Sequence, residues 1–154
     1  MVCAAIEDFF KTGHMPKHTS STKLVILPKI THPQTASDFR PILCCNVIYK
    51  CISKLIGQRI KEVLPSIINP SQGAFVKGME LLYNVLICQD IARGYQRQHI
   101  SPRCILKVDL QKAFNSIHWD FLQEMLLALK FPMQFIKWIM VCVTSVTFTI
   151  HING

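Results

Sequence analysis

From Asn46 onward, Ile48, Ile52, Leu55, Ile56, Ile60 and Val63 recur at helical spacing, while Lys50, Lys54, Arg59 and Lys61 fall mostly elsewhere on the surface. This spacing predicts the longest amphipathic helix of the chain, running until Pro65 stops it. A helix of this kind gains most of its stability by burying its apolar stripe, so the chain must fold something against it.

The flanking segments read differently. "CAAIEDFFKTG" predicts a short helix with Ala5, Ile6, Phe9 and Phe10 apolar and Gly13 at its end. "TKLVILPKI" is rich in β-branched residues, which predicts a strand over residues 22–27 stopped by Pro28. The turn formers of "THPQTASDFRPI" then predict a loop carrying Lys29, Asp38 and Arg40. Past the turn-rich "INPSQGAFVKGMELL", a second helix is expected from Leu81 to about Gln96, next to the basic stretch "RGYQRQHISPR".

"CILKVDL" alternates Ile105, Lys107 and Asp109 against Leu106, Val108 and Leu110, the pattern of a strand with Asp109 at its end. "HWDFLQEMLLALK" and "PMQFIKWIMVC" predict two further helices, the second with Pro132 near its first turn. "VTFTIHING" alternates Val146, Phe148, Ile150 and Ile152 against Thr147, Thr149 and His151 and ends on Asn-Gly, a strong hairpin signal. A strand leading into such a turn needs a partner, so sequence is expected beyond Gly154. An open edge over residues 146–152 would favour self-association.

Half of the residues are apolar and 17% are charged, which excludes a disordered tail. No apolar run approaches the roughly 20 residues that span a bilayer, and the N-terminus lacks a secretory pattern. The chain is therefore expected to be intracellular, not secreted and not bound to membrane. The seven cysteines are odd in number and show no CxxC spacing, so they read as reduced core residues. Lys and Arg outnumber Asp and Glu by 17 to 9, a formal charge of +8 that makes polyanions natural partners. Arg93, Arg97, Arg103 and Lys107 cluster around the loop before Asp109 and are candidate nucleic-acid contacts. A non-catalytic nucleic-acid-binding module would satisfy these features.

A carboxylate at a strand end suits a divalent cation, because it faces a crevice while the strand fixes its position. It equally suits a helix cap or plain solvation. "KVDLQKAFNSIHWDFL", preceded by "LVILPKITHPQTASDFRPILCCNVIYKCISKLIGQRIKEVLP" and "SQGAFVKG", resembles the reverse transcriptase of LINE-type, non-LTR retrotransposons, in the branch abundant in plant genomes. The resemblance covers nearly the whole chain.

That resemblance implies an α+β fold: the helix-rich fingers, about residues 1–103, and an incomplete palm, about 104–154, of a right-hand polymerase. The chain would be a single partial domain. It also implies two-metal phosphoryl transfer with Mg²⁺, an RNA template, a DNA primer and deoxynucleoside triphosphates. Asp109 would be the catalytic metal ligand, with the Leu110 backbone carbonyl beside it. Phe114 matches the gate that rejects the 2′-hydroxyl, and Arg40 and Lys77 match basic finger positions near the incoming triphosphate or the template. Asn115 and Met79 depart from the family's usual aspartate and arginine. The family's paired aspartates are expected beyond residue 154, so the chain alone is expected to be inactive.

Overall fold

The computed structural model describes residues 1–69, 71–72, 76, 81–95, 101, 104, 106–109 and 116–151. The chain divides into two compact units: Met1–Gly57 together with His118–Gly154, and Gln58–Ile117.

The first unit opens with helix α1 (Val2–Thr12), which ends on Gly13 in the left-handed conformation, φ 69°. The Gly13 N–H donates to the Phe9 carbonyl at 2.7 Å, as a glycine-capped helix end requires. A short turn of helix, α2 (Lys17–Ser20), leads into strand β1 (Ser21–Pro28). The expected strand over 22–27 is thus present, with its stop at Pro28.

The next segment differs from its sequence reading. The loop ends early, in a 3₁₀ turn at Ala36–Asp38, and strand β2 (Phe39–Cys45) begins in the middle of the predicted turn formers. Pro41 argues against a strand interior, yet β2 lies at one edge of a sheet ordered β2-β1-β3. Proline is tolerated on such an edge, where its missing donor would have faced solvent.

Helix α3 (Val47–Ile67) follows. The Asn46 side chain accepts from the Ile48 N–H at 2.9 Å, satisfying one of the free donors at the helix start. Pro65 lies inside α3 and does not end it. So near the C-terminus the proline forgoes one backbone bond, and the helix closes with Ile68 N–H on the Leu64 carbonyl.

Helices α4 (Leu81–Arg93), α5 (Trp119–Ala128) and α6 (Met133–Thr144) and strand β3 (Thr147–His151) complete the described elements. Each was expected, although α4 stops at Gly94, short of Gln96, which lies outside the described residues. β3 has a partner that local sequence did not disclose. It runs parallel to β1, from Ser21 opposite Thr147 to Val25 opposite His151, while β1 pairs antiparallel with β2 from Thr22–Cys45 to Pro28–Phe39. One edge of β3 is therefore occupied; the Asn153-Gly154 turn lies outside the described residues.

Residues paired across strands share a sheet face. Leu24 and Ile26 thus lie with Leu43, Phe148 and Ile150 on one face, and Lys23 and Leu27 with Arg40 and Thr149 on the other. Phe148 and Ile150 are exposed.

The core of this unit joins Phe9 of α1, Thr22 of β1, Ile52 and Ile56 of α3, and Ile136, Ile139 and Cys142 of α6, all buried. Phe10 meets Trp138 edge to face, with ring centroids 4.9 Å apart, and Trp138 meets Phe135 at 6.1 Å. Such contacts add to area burial and fix the α1–α6 packing. The Tyr49 hydroxyl donates to the Cys142 carbonyl at 2.8 Å, tying α3 to α6.

The second unit holds the end of α3, the Asn69 turn and α4. Asn69 Oδ1 accepts from the Ser71 N–H at 2.9 Å, and Asn84 of α4 donates to the Ser71 carbonyl at 3.4 Å. Leu82, Val85, Leu86, Ile87 and Ile91 of α4 are all exposed, and Val76 is the buried side chain among the described residues of this unit. The strand expected over residues 104–110 is absent where the chain is described. Cys104 and residues 106–109 have no strand pairing, and Leu106 is 82% exposed. Alternation gives a segment two faces, but a strand exists only when a neighbour accepts its backbone bonds. Among the described residues, no helix is long and apolar enough to cross a membrane.

Candidate functional site

The candidate residues fall in both units. Arg40 belongs to the first, on β2, where it pairs with Leu27 and is exposed. The turn leading to it is closely tied. Asp38 Oδ2 accepts from the Gln34 N–H at 3.0 Å, the Thr35 N–H at 2.8 Å and the Thr35 hydroxyl at 2.9 Å. The Asp38 carbonyl accepts from the Lys29 N–H at 2.7 Å, and the Lys29 ammonium donates to the Ser37 carbonyl at 2.6 Å. The Thr35 and Gln34 donors hold the Asp38 carboxyl below the usual aspartate value of 3.8, and the Lys29 charge acts in the same direction. Thr35 and Asp38 form a capping-box pair around the 3₁₀ turn. The spacing of "TASD" carries that signal in the sequence, where the stretch reads only as turn formers.

The second unit holds Asp109, Lys107 and Arg93. Asp109 and Lys107 sit two residues apart on an exposed segment without regular structure. Arg93 closes α4 and pairs with Asp90 at 3.8 Å, both side chains largely in solvent. Such a pair contributes little to stability, and the guanidinium remains at the surface. Leu110, Phe114, Lys77, Arg97 and Arg103, with the departures Asn115 and Met79, lie outside the described residues.

Among the described residues, no three His, Cys, Asp or Glu side chains gather into a set that would hold a metal ion. Asp109 offers one hard oxygen donor, which suits Mg²⁺ in kind. One carboxylate does not make up a site for two such ions. The cysteines add no soft site and no disulfide. All seven are free, but Cys3, Cys44, Cys88 and Cys104 are exposed, so the expectation of core cysteines holds for Cys142 and not for these four. Burial pushes the Cys142 thiol up to about 11 and the Tyr49 phenol up to about 12, with Cys142 and Cys45 reinforcing the latter. These groups are neutral packing elements at ordinary pH.

Residues 16–154 match the family model described as "Reverse transcriptase (RNA-dependent DNA polymerase)". The chain is 28% identical over 148 residues to the Transposon TX1 uncharacterized 149 kDa protein of Xenopus laevis, covering 96% of this chain and 11% of that protein. It is 25% identical over 127 residues to the retrovirus-related Pol polyprotein from type-2 retrotransposable element R2DM of Drosophila melanogaster, covering 82% and 12%. The corresponding polyprotein from type-1 retrotransposable element R2 of Popillia japonica is 20% identical over 105 residues, covering 68% and 14%. The chain thus spans roughly a tenth of the length of these relatives. With the family matched across most of its length and the relatives drawn from non-LTR retrotransposons, the chain belongs to the reverse transcriptase (RNA-dependent DNA polymerase) family.

Proposed function

We propose that these 154 residues form the fingers and the start of the palm of a LINE-type reverse transcriptase and contribute part of its polymerase site. The observation that carries this is the family match over residues 16–154, which takes in both Arg40 and Asp109. In the intact family the substrates are an RNA template, a DNA primer and deoxynucleoside triphosphates, and Mg²⁺ supplies charge neutralisation at the transferred phosphoryl group. On this reading Asp109 is one metal ligand, with the Leu110 carbonyl beside it. Arg40 and Lys77 face the triphosphate, and Phe114 excludes the 2′-hydroxyl by filling its space. Arg93, Arg97, Arg103 and Lys107 hold nucleic-acid phosphates.

Two divalent cations need more than one carboxylate, so the isolated chain is expected not to extend a primer. The test is primer extension on an RNA template with Mg²⁺ and purified chain, beside Asp109→Ala. Synthesis that depends on Asp109 would show that this chain completes the site by itself.

A second reading is favoured by the net charge of +8. As a nucleic-acid-binding module without catalysis, the chain would bind RNA and DNA with affinity falling steeply as salt rises, because bound phosphates release counterions. Filter binding over a salt series decides it, and no affinity even at low salt would rule it out.

Self-association belongs to the same proposal. It is supported by exposed Phe148 and Ile150 on β3, whose edge away from β1 has no strand among the described residues. Sedimentation of the chain and of Phe148→Lys should show oligomers that the lysine disperses; a monomer in both cases would remove the idea.

A further inference from the structure

Strand β1 pairs with β3 from Ser21 to Val25 and with β2 from Thr22 to Pro28. Arg40 of β2 stands opposite Leu27 of β1, next to the Pro28–Phe39 pair.

The prolines beside Arg40 take no bond from the β1–β2 ladder. The Lys29 N–H on the Asp38 carbonyl marks a hydrogen-bonded rung. The alternation of an antiparallel pair then makes Pro28–Phe39 a non-bonded rung, Leu27–Arg40 a bonded one and Ile26–Pro41 non-bonded again. Arg40 therefore sits on a bonded rung between two rungs that carry proline. The next rung outward is the one that Asp38 closes.

We propose that Asp38 is a positioning residue: by gathering three donors of residues 34–35 on one carboxylate oxygen and closing the hairpin on Lys29, it fixes Arg40 for an anionic polyphosphate. This rests on the reading of Arg40 as a triphosphate contact. It adds a residue whose own charge is wrong for that ligand. A carboxylate beside a polyanion site would ordinarily weaken it; here the same carboxylate is engaged by backbone donors and orders the cation's strand.

That conflict of sign makes the test clean. Asp38→Asn and Asp38→Ala remove the same charge, but the asparagine keeps an acceptor oxygen for Gln34 and Thr35 and the alanine does not. Calorimetric titration of the full chain with inorganic tripolyphosphate, in the absence of metal, reads the affinities, and circular dichroism melting checks that each variant stays folded. Arg40→Ala is expected to weaken binding about tenfold, as loss of a charge-assisted contact does.

Asp38→Ala should bind at least about threefold more weakly than Asp38→Asn, the scale of a loosened supporting contact. The difference should vanish when Arg40 is already alanine. Equal affinities for the two Asp38 variants would overturn the inference while leaving the role of Arg40 intact. A difference that persists without Arg40 would overturn it too, because Asp38 would then act by another route. If Arg40→Ala leaves binding unchanged, the reading of Arg40 fails and the inference falls with it.

Discussion

Helices α3 and α4 have similar claims on a core when read as sequence. α3 places Ile52 and Ile56 in the packed interior of the first unit, with both residues almost fully buried. α4 carries Leu82, Val85, Leu86, Ile87 and Ile91, and every one of these is exposed. The difference lies in what stands opposite. Ile52 and Ile56 belong to a unit in which α1, α6 and β1 also contribute buried side chains, whereas the described residues of Gln58–Ile117 bury Val76. Apolar content therefore sets what a helix has to gain, and the partner decides how much it gains. Among the described residues Asn84 ties α4 to the Ser71 carbonyl, and α4 is expected to open more readily than the first unit.

The sharpest way to break this comparison is truncation on each side of it. Phe9→Ala removes a ring that is 1% exposed and should cost about 3–5 kcal/mol in urea unfolding. Leu86→Ala on α4 should cost less than about 1 kcal/mol, since a half-exposed side chain leaves no cavity behind. Equal losses would mean that α4 is packed as firmly as α1.

A smaller effect is expected at Gly13. Its φ of 69° strains any other residue, and an added Cβ would meet Lys137 Cε at 3.1 Å. Gly13→Ala should lower stability by about 1–2 kcal/mol, read from the thermal midpoint. No loss would show that the end of α1 is not held against α6 in solution.

The smallest effect concerns the α3–α6 tie. Tyr49→Phe should cost about 1 kcal/mol at neutral pH, the net worth of one hydrogen bond. Tyr49 also makes the tie sensitive to alkali. Its folded value is raised from 10.0 to about 12, so its contribution is complete below pH 10 and is lost as pH rises towards 12. Urea midpoints across that range should fall more steeply for the native chain than for Tyr49→Phe. Parallel curves would place the alkaline loss elsewhere, for instance in Cys142, whose thiol is raised to about 11.

Much of the fold was legible where one local signal decides the outcome. Gly13 ends α1, Pro28 ends β1 and Pro132 stands before α6, and the structure follows all three. β2 was hidden because Pro41 and the turn formers before it oppose a strand locally, and only its place at a sheet edge makes them acceptable. Pro65 misled in the other direction, since a proline two residues from a helix end costs too little to stop it. The strand anticipated around Asp109 had the right alternation, but alternation cannot name a neighbour, and Leu106 and Val108 stand exposed. Of the candidate site, Asp109 is singled out by its resemblance to a family motif, and its described neighbours 106–108 are exposed and without regular structure. The bonding of Asp38 depends on a turn geometry that composition alone does not convey.

The parallel pairing of β1 with β3 has a consequence for how the molecule is made. β2 can find β1 across a short loop, but Ser21 meets Thr147 only after nearly the whole chain has been drawn together, with all of Gln58–Ile117 intervening. Closing so long a loop is entropically costly before any contact repays it, so the hairpin should form early and the third strand late. During synthesis, the bare side of β1 waits for the last strand described here, and whatever binds exposed strand edges has that whole interval in which to find it.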